Sequence, residues 1–262
     1  MTITKNKIWK NNDIEIALVD CSKHSFPRHY HDEFVIGVNV IGGEAIWLDG
    51  QNFEADLEDI TLYNPGEIQS ANPLIDNWKF ISIYISDKFI KQIFGDDYNI
   101  RFTKSILRSN LLAKNFRYSA LQCLSGEYSN EEIEEYIIIL CNGLLRSTAS
   151  LILPEYSENV IVHTITEKLL SNLTSPPSIA ELASEFSMTP VQMIRTFKKS
   201  KGLAPFQWLT NHRLNLAKKA LTKNSSIVTV SYDFGFSDQA HFTRRFKTMF
   251  GLPPGAYKKA MK

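Results

Sequence analysis

The sequence predicts an α+β chain of two domains, an N-terminal β-barrel or sandwich with trailing helices and an all-helical C-terminal domain. Short β-branched runs separated by turn residues fill residues 14–85. From residue 86 onward the apolar spacing is helical. The charge divides in the same way: residues 1–154 carry 14 Lys and Arg against 21 Asp and Glu, and residues 155–262 carry 15 against 7. We therefore expect a linker at Leu153-Pro154 between an acidic domain (1–154) and a basic domain (155–262).

Composition narrows the class of protein. The chain has 262 residues, of which 44% are hydrophobic, so each domain can bury its own core. No apolar run approaches the ~18 residues that span a bilayer, and residues 1–10 have no signal-peptide pattern. Three distant cysteines exclude a disulfide scaffold and a cysteine zinc ribbon: Cys21, Cys123 and Cys141. We expect a cytoplasmic protein with no membrane partner.

The strands are predicted from short apolar runs that end at turn residues. The runs lie at 34–41, 44–48, 59–63 and 80–85. Asp49-Gly50 between two of them is a strong signal for a two-residue hairpin. Strands at such spacing are typical of a sandwich or barrel.

Two helices are predicted to follow these strands. Ser86 can cap a helix over 87–94 that Gly95 stops. A second helix runs from Glu131 to Arg146 with Asn130 as its cap. Its apolar stripe predicts either core or a dimer interface, and consists of Ile133, Tyr136, Ile137, Leu140 and Leu144. Six helices are predicted beyond the linker, over 159–172, 178–186, 190–200, 205–222, 226–234 and 238–250.

Residues 179–198 have the pattern of a helix-turn-helix unit. The inward residues of the first helix are Ile179, Leu182, Ala183 and Phe186. Thr189 is a good N-cap after the turn, and Pro190 suits the first helical position. Met193 and Phe197, four residues apart, pack the second helix against the first. The small Ala183 at the crossing fits a helix-turn-helix.

Residues 227–247 repeat this unit. Val230 and Ser231 take the places of the first unit's inward Leu and Ala, Gly235 allows a tight turn, and Ser237 is the expected cap of the second helix. The inward pair of that helix is Phe242 and Phe246. Nine positions separate Ser237 from Phe246, one more than in the first unit, which predicts a register slip inside the helix. Both units end in Phe-Lys-x3-Gly-x2-Pro.

Two such units in a basic segment predict binding to double-stranded DNA. Arg and Gln on a helix can contact guanine and adenine edges in the major groove, and lysines can hold phosphates. The outward residues of the first unit are Val191, Gln192, Ile194, Arg195, Lys198 and Lys199. Those of the second unit are Gln239, Ala240, His241, Thr243, Arg244 and Lys247.

Residues 178–258 resemble the signature of AraC/XylS-type transcription regulators. The matching positions are Arg213, Ala217, Leu221, Ile227, Gly235–Gln239, His241, Phe242, Arg244, Phe246, Lys247, Gly251, Pro254 and Tyr257. The resemblance implies two helix-turn-helix subdomains joined by one long helix, here about 205–222, with both recognition helices in successive major grooves. It departs from the usual pattern at Val230-Ser231, where Ile-Ala is usual, and at Lys258, where Arg is common.

Residues 26–37 and 62–69 resemble the two cupin motifs of the sensor domain of that family, in a cupin-like barrel over about 24–85. Metal-binding cupins supply two His and an acid from the first motif and one His from the second. His29 and His31 are present, but Gln69 stands where the last His is expected, and an amide oxygen is a poor substitute. We expect histidines hydrogen-bonded at the barrel mouth, with no metal and no cofactor.

The resemblance implies a small-molecule effector inside the barrel. The candidate lining residues are His29, His31, Val35, Trp47, Tyr63, Gln69 and Trp78, each with a core alternative. The expected protein is a regulator of transcription that forms a homodimer, and that contacts RNA polymerase if it is an activator. Three alternatives stay open: a metal-dependent cupin enzyme with a basic tail, a DNA-repair alkyltransferase with a reactive cysteine, and an accessory protein that binds only protein.

Overall fold

The computed structural model describes residues 6–21, 23–94, 100–151 and 160–261. The chain forms two compact units, an N-terminal unit made largely of residues up to 154 and a C-terminal unit made largely of residues 155–258. The expected helix stop at Gly95 and the expected linker at Leu153-Pro154 lie outside the described residues. Within the described ranges, no helix has the length and apolarity needed to cross a membrane.

The N-terminal unit is built mainly from two antiparallel sheets. Its strands are β1 Lys7–Lys10, β2 Ile14–Asp20, β3 Phe26–His29, β4 Phe34–Ile41, β5 Glu44–Leu48, β6 Gln51–Ala55, β7 Asp59–Tyr63, β8 Gln69–Pro73, β9 Lys79–Ile85, β10 Ile100–Phe102, β11 Ile106–Arg108 and β12 Ala149–Leu151. The large sheet has the order β1-β2-β9-β4-β7-β11, and the small sheet has the order β3-β8-β5-β6. A short pair, β10 and β12, stands apart.

The turn chemistry of the sequence fixes the hairpin of the small sheet. Asp49 and Gly50 have φ angles of 42° and 95°, so both occupy the left-handed region. This is the geometry that a two-residue hairpin turn requires, and it joins Leu48 of β5 directly to Gln51 of β6. The predicted hairpin is confirmed.

Alternate residues of each strand in the large sheet point to opposite faces of that sheet. Ile14, Ile16 and Leu18 of β2 belong to an outer core shared with helices. Val35 and Tyr63, on the opposite face, pack with Ile46, Leu48 and Ala55 of the small sheet in an inner cluster. The two sheets therefore face each other around this cluster, as the predicted barrel requires.

Ten helices are found in the described part of the chain. They are α1 Asp87–Phe94, α2 Asn110–Cys123, α3 Asn130–Thr148, α4 Val160–Ser171, α5 Ile179–Glu185, α6 Pro190–Lys201, α7 Pro205–Ala220, α8 Ile227–Asp233, α9 Gln239–Phe250 and α10 Pro254–Ala260. Ser86 caps α1, because its hydroxyl accepts from the Phe89 amide at 3.1 Å. Helices α2 and α10 were not predicted from the sequence.

The start of α3 differs from the expectation. Asn130 is the first helical residue rather than the cap, and its Oδ1 accepts from Trp9 Nε1 at 3.0 Å. Ser129 takes the capping role, since its hydroxyl accepts from the Glu132 amide while the Glu132 carboxylate accepts from the Ser129 amide.

The apolar stripe of α3 belongs to the core. Ile133, Ile137 and Leu144 are buried against the outer face of the large sheet, and Tyr136 and Leu140 are partly buried beside them. Ile137 and Leu144 therefore do not form a dimer interface. Ile138 and Ile139 of α3 are exposed, and Ile139 is the more exposed of the two, at 64%.

Candidate functional site

The first helix-turn-helix unit is formed by α5, a turn and α6. Ser178 and Glu181 form a reciprocal capping box at the start of α5, and Thr189 and Gln192 form another at the start of α6. Ser187 in the turn has a positive φ of 53°. Gly202, with a φ of 72°, ends α6 in the left-handed conformation. The predicted cap at Thr189 is confirmed.

The packing of this unit follows the predicted inward residues. Leu182, Ala183, Met193 and Phe197 are all buried in one cluster. Three apolar residues of α4 and one of α7 complete the cluster: Val162, Ile165, Leu169 and Leu209. The unit is therefore one part of a larger helical core, which holds the outer face of α6 in a fixed orientation.

The second unit repeats the first with one correction. Asp238, not Ser237, is the N-cap of α9, and its carboxylate accepts from the His241 amide at 2.6 Å. Asp238 precedes Phe246 by the same eight positions that separate Thr189 from Phe197. The extra residue therefore lies in the turn, and the predicted register slip inside the helix is wrong. The helix dipole also favours a carboxylate at this end of α9.

With this register the two recognition helices, α6 and α9, correspond position by position. Arg195 and Arg244 are equivalent and exposed, and so are Lys198 and Lys247. The other exposed outward residues are Val191, Gln192, Lys199, Gln239 and Ala240, whereas Ile194, His241 and Thr243 are half-buried. Each helix thus presents one arginine and one lysine a turn apart on its free face.

Two outward residues are engaged in local hydrogen bonds. Gln192 Oε1 accepts from the amide and hydroxyl of Thr189 at 2.9 and 3.0 Å. A bidentate contact to adenine needs both the oxygen and the amide nitrogen of Gln, so Gln192 cannot make it while it caps α6. His241 Nδ1 lies 3.2 Å from Ser237 Oγ, and its Nε2 accepts from Arg245 Nε at 3.4 Å.

Arg245 is an exposed residue of α9 that sequence reasoning missed. It lies one residue beyond Arg244 and beside His241, so a helical projection from the correct cap would have placed it at the edge of the free face. The equivalent position in α6 is Thr196. The second unit therefore carries one more cation than the first at this position.

Part of the basic excess of the C-terminal unit is structural. Lys218 is buried with its ammonium 5.3 Å from the centre of the Phe250 ring. Lys258 donates to the Ser225 carbonyl. Arg213 of α7 donates to the carbonyls of Gly235 and Leu173, and burial lowers the pKa of its guanidinium. The exposed cations of the recognition helices are Arg195, Lys198, Lys199, Arg244, Arg245 and Lys247.

Gly235, in the turn of the second helix-turn-helix, packs closely against the segment after α4 and against α7. Its φ is +75°, and a Cβ at this position would lie 2.4 Å from the Leu173 carbonyl oxygen and 3.1 Å from Arg213 Cζ. Only glycine satisfies both the conformation and the close approach. The second unit is thereby fixed to the end of α4 and to α7.

The candidate effector residues of the N-terminal unit are only partly brought together. Val35 and Tyr63 are paired neighbours on β4 and β7 and face the inner cluster. Gln69 is buried at the start of β8, directly across from Leu48. The His31 ring is buried with its centre 5.1 Å from that of Tyr84.

His29 is buried, with its Nδ1 2.7 Å from the Pro27 carbonyl oxygen. Burial lowers the pKa of its imidazole to about 4, so the ring is neutral at physiological pH. In the described ranges, no three His, Cys, Asp or Glu side chains are grouped to hold a metal ion.

The two tryptophans differ from the expectation. Trp47 alternates with Ile46 and Leu48, so it lies on the outer face of the small sheet, beside Asn52 and Asn72. Trp78 is fully buried between aromatic rings and donates from Nε1 to Asn39 Oδ1 at 2.7 Å. Trp47 therefore does not line the barrel interior, and Trp78 has the core role that was its alternative.

Glu44 is an inward residue that sequence reasoning missed. It is 7% exposed and alternates with Ile46 and Leu48 toward the inner cluster. Burial raises the pKa of its carboxyl to about 8. Its position in the alternating strand was a usable signal, because an acid on the apolar face of a half-buried strand is unusual.

The three cysteines do not support a reactive thiol. All three are buried and free of disulfides. Burial raises the thiol pKa of Cys21 and Cys141 to about 12 and that of Cys123 to about 11. The thiolate is the reactive form of cysteine, so none of these three thiols is activated in the way that an alkyltransferase needs.

Comparisons with known proteins agree with this arrangement. The family described as "AraC-like ligand binding domain" matches residues 11–140, and the family described as "Helix-turn-helix domain" matches residues 182–260. The uncharacterized HTH-type transcriptional regulator YbfI of Bacillus subtilis is 26% identical over 225 residues, which are 82% of this chain and 81% of YbfI. The multiple antibiotic resistance protein MarA of Escherichia coli is 27% identical over 103 residues, which are 39% of this chain and 81% of MarA.

Solved structures share the fold. A crystal structure of ToxT from Vibrio cholerae matches with a TM-score of 0.59 at 15% identity, over 95% of this chain and 98% of ToxT. A structure of ToxT bound to an unsaturated fatty acid matches with a TM-score of 0.59 at 14% identity, over 98% and 97% of the two chains. With its β-sheet unit, its two helix-turn-helix units and these family matches, the chain belongs to the AraC/XylS family of transcription regulators, with a ligand-binding domain ahead of a helix-turn-helix domain.

Proposed function

We propose that this regulator reads two successive major grooves of promoter DNA with α6 and α9, under the control of a small molecule bound in the barrel. In this proposal residues 1–154 bind the effector and residues 155–262 bind DNA. The observation that carries the proposal is the position-by-position match of the two recognition helices, with Arg195 and Arg244 exposed at equivalent sites. The arginines read base edges and the neighbouring lysines hold phosphates.

Effector control has separate support. The inner cluster lies between two sheets, and barrels of this kind hold small ligands. ToxT, which shares the fold, has been solved with an unsaturated fatty acid bound. The effector of this chain is a small organic molecule that contacts Val35 and Tyr63, with His29, His31 and Gln69 as further polar contacts and no required metal. It switches transcription by binding one conformation of the protein better than the other.

We also propose a homodimer, through a surface different from the one expected from the sequence. Tyr118 of α2, Tyr128 between α2 and α3, and Ile139 of α3 are all exposed and line a groove of about 280 Å³, with Glu132 and Glu135 at its edge. Contiguous exposed apolar surface of this kind favours an interface between protein chains. A second copy of this chain is the proposed occupant, and RNA polymerase is a further partner if the protein is an activator.

A footprint on DNA tests the two-groove proposal. The protein is first used to select its preferred duplex from random DNA, and hydroxyl-radical cleavage then maps the contacts. One chain should protect two segments about 10 bp apart on one face of the duplex. Arg195→Ala should weaken one segment and Arg244→Ala the other.

The control is Lys168→Ala in α4, where the lysine is paired with Glu185 at 2.8 Å and belongs to neither recognition helix. It should leave both segments intact. A single protected groove per chain would overturn the two-groove proposal, and failure to select any duplex would overturn DNA reading altogether.

A further inference from the structure

Glu44 is an ionisable side chain on the inner face of the small sheet that the DNA-reading proposal does not use. Glu44 begins β5, opposite Ala55 of β6 and Pro73 of β8, and is 7% exposed. Because side chains alternate along a strand, its carboxyl points to the same side as Ile46 and Leu48, which are members of the inner cluster. The carboxyl therefore faces the space between the two sheets.

In the part of the chain that the structure describes, nothing neutralises this carboxyl. Burial is the one cause of its altered titration, and neither a cation nor a hydrogen-bond donor contributes. Its charge instead acts on Tyr63 and Cys21, and in both cases it opposes ionisation. Buried carboxylates in proteins are normally paired or hydrogen-bonded, because an isolated one is costly to bury. Glu44 is thus an unpaired acid held inside the barrel.

Aromatic side chains accompany it on the facing sheet. The register places Tyr63 and Tyr84 on either side of Val35, as its direct neighbours on β7 and β9. The next row of the same face is made of small residues, Ala17, Ser82, Gly37 and Thr61. The inner face therefore offers two tyrosine rings next to a row of short side chains.

The inward positions of β2, β4, β5, β7 and β9 carry no lysine or arginine. On β2, β4 and β9 they are Glu15, Ala17, Val19, Val35, Gly37, Asn39, Phe80, Ser82 and Tyr84, and on β5 and β7 they are Glu44, Ile46, Leu48, Asp59, Thr61 and Tyr63. Two of the three acids have a basic residue opposite them, since Lys10 of β1 lies across from Glu15 and Arg108 of β11 lies 3.5 Å from Asp59. Beside Glu44, Tyr63 and Tyr84, a ligand with a carboxylate or phosphate would meet an acid and no lysine or arginine of these five strands. A ligand with a positive charge would meet a carboxyl that lacks a partner and rings that attract cations.

We infer that the effector of this regulator is a small organic cation, an ammonium compound with an apolar body, whose charged group sits against Glu44 and the rings of Tyr63 and Tyr84. The inference rests on the proposed effector control and names the chemical class of the ligand. Aliphatic residues of the inner cluster, Val35, Ile46 and Leu48, receive the apolar body. Glu44 and the tyrosines select for charge, and the aliphatic wall selects for size.

The test uses the full chain and three ammonium probes: choline, 2-phenylethylammonium and hexylammonium. Each probe is compared with a neutral alcohol and with a carboxylate of similar size and shape, in which the ammonium group is replaced. Thermal unfolding and titration calorimetry measure binding. At least one ammonium probe should bind saturably and raise Tm, and its alcohol and carboxylate partners should bind at least about tenfold more weakly, since charged hydrogen bonds are the strong ones.

Variants then locate the site. Glu44→Gln keeps the shape of the side chain and removes its charge. It should lower the affinity for the ammonium probe by about tenfold or more. The matched control is Glu54→Gln on β6, an exposed acid of the same sheet, which should change nothing. If Glu44→Gln fails to fold, Glu44→Asp and the comparison of ammonium with alcohol in the unaltered protein still decide the question.

The inference is overturned if none of the three ammonium probes binds, if an alcohol or carboxylate binds equally well, or if Glu44→Gln leaves ammonium affinity unchanged. The footprint separates this outcome from failure of the proposed function. Two protected DNA segments without ammonium binding would leave DNA reading intact and remove the cationic effector. Ammonium binding without DNA protection would support the cationic effector and overturn the two-groove reading of DNA.

Discussion

At the scale of single residues, Arg195 and Lys198 lie one turn apart on the free face of α6 and should contribute to DNA binding in different ways. Arg195→Ala should cost ~1–3 kcal/mol on the preferred duplex and relax the base preference at one position. Lys198→Ala should weaken binding to every sequence about equally. It should also reduce the slope of log affinity against log salt concentration by about one, which corresponds to one phosphate contact. Competition binding on duplexes with single substitutions, at several salt concentrations, distinguishes the two. Unchanged affinity and base preference in Arg195→Ala would contradict base reading by α6.

Glu44 should also affect stability, with a definite sign. Its folded pKa of about 8 lies above the ordinary carboxyl value of 4.5, so the folded state binds the proton more tightly than the unfolded state. Stability from this group is therefore fully present below about pH 4.5 and is lost as pH rises through about 8. This group alone should make the unaltered protein less stable at alkaline than at acid pH, by up to about 5 kcal/mol.

Glu44→Gln removes this titration. Urea unfolding of both proteins at about pH 5 and about pH 9 should show the variant gaining stability relative to the unaltered protein as pH rises. Tyr63 and Cys21 are the ionisable groups coupled to Glu44, and both resist ionisation through most of this range. Parallel pH profiles for the two proteins would mean that Glu44 is not buried unpaired.

At the scale of the element, α3 has two apolar sides with opposite expected roles. Ile137 is 0% exposed in the core, so Ile137→Glu buries a charge and should unfold the N-terminal unit. Ile139 is 64% exposed beside Tyr118 and Tyr128, so Ile139→Glu should leave thermal stability nearly unchanged and convert a dimer to a monomer. Sedimentation velocity and circular dichroism measure the two effects. A monomeric unaltered protein, or an Ile139→Glu variant that sediments like it, would overturn the proposed interface.

The recognition helices show how far local sequence determines an element. Thr189, Pro190 and Gln192 define the start of α6 by themselves, because caps act through hydrogen bonds within one turn. At α9 two capping residues are adjacent, Ser237 and Asp238, and propensity alone did not decide between them. The packing of Phe242 and Phe246 in the core sets the rotation of α9, and this rotation makes Asp238 the cap.

At the scale of the whole molecule, the two recognition helices can read one duplex only if the C-terminal unit holds them at a fixed separation. Gly235→Ala should disturb that separation, since the added Cβ would meet the Leu173 carbonyl oxygen at 2.4 Å in a backbone conformation that alanine disfavours. Thermal stability of this unit and protection of both DNA segments should fall together.

Gly50→Ala is the matched control, because Gly50 also has a positive φ, of +95°, but a Cβ there would meet nothing within 4 Å. It should cost a modest amount of stability in the N-terminal unit and leave the DNA footprint as it was. Equal effects of the two substitutions on DNA protection would show that the close approach at Gly235 does not set the separation of the helices.

The sequence by itself determined the α+β class, the strands β4, β5, β7 and β9, eight of the ten helices described, the hairpin at Asp49-Gly50, and the two helix-turn-helix units with the exposed Arg and Lys of their recognition helices. These features depend on local periodicity, caps and turn conformations, which neighbouring residues fix. Only the tertiary structure decided which side of α3 is core, that Trp47 faces outward, that Asp238 caps α9, and that Glu44 lies unpaired beside Tyr63. These features depend on which face of an element meets which distant element, and burial there, rather than local propensity, sets the role of each residue.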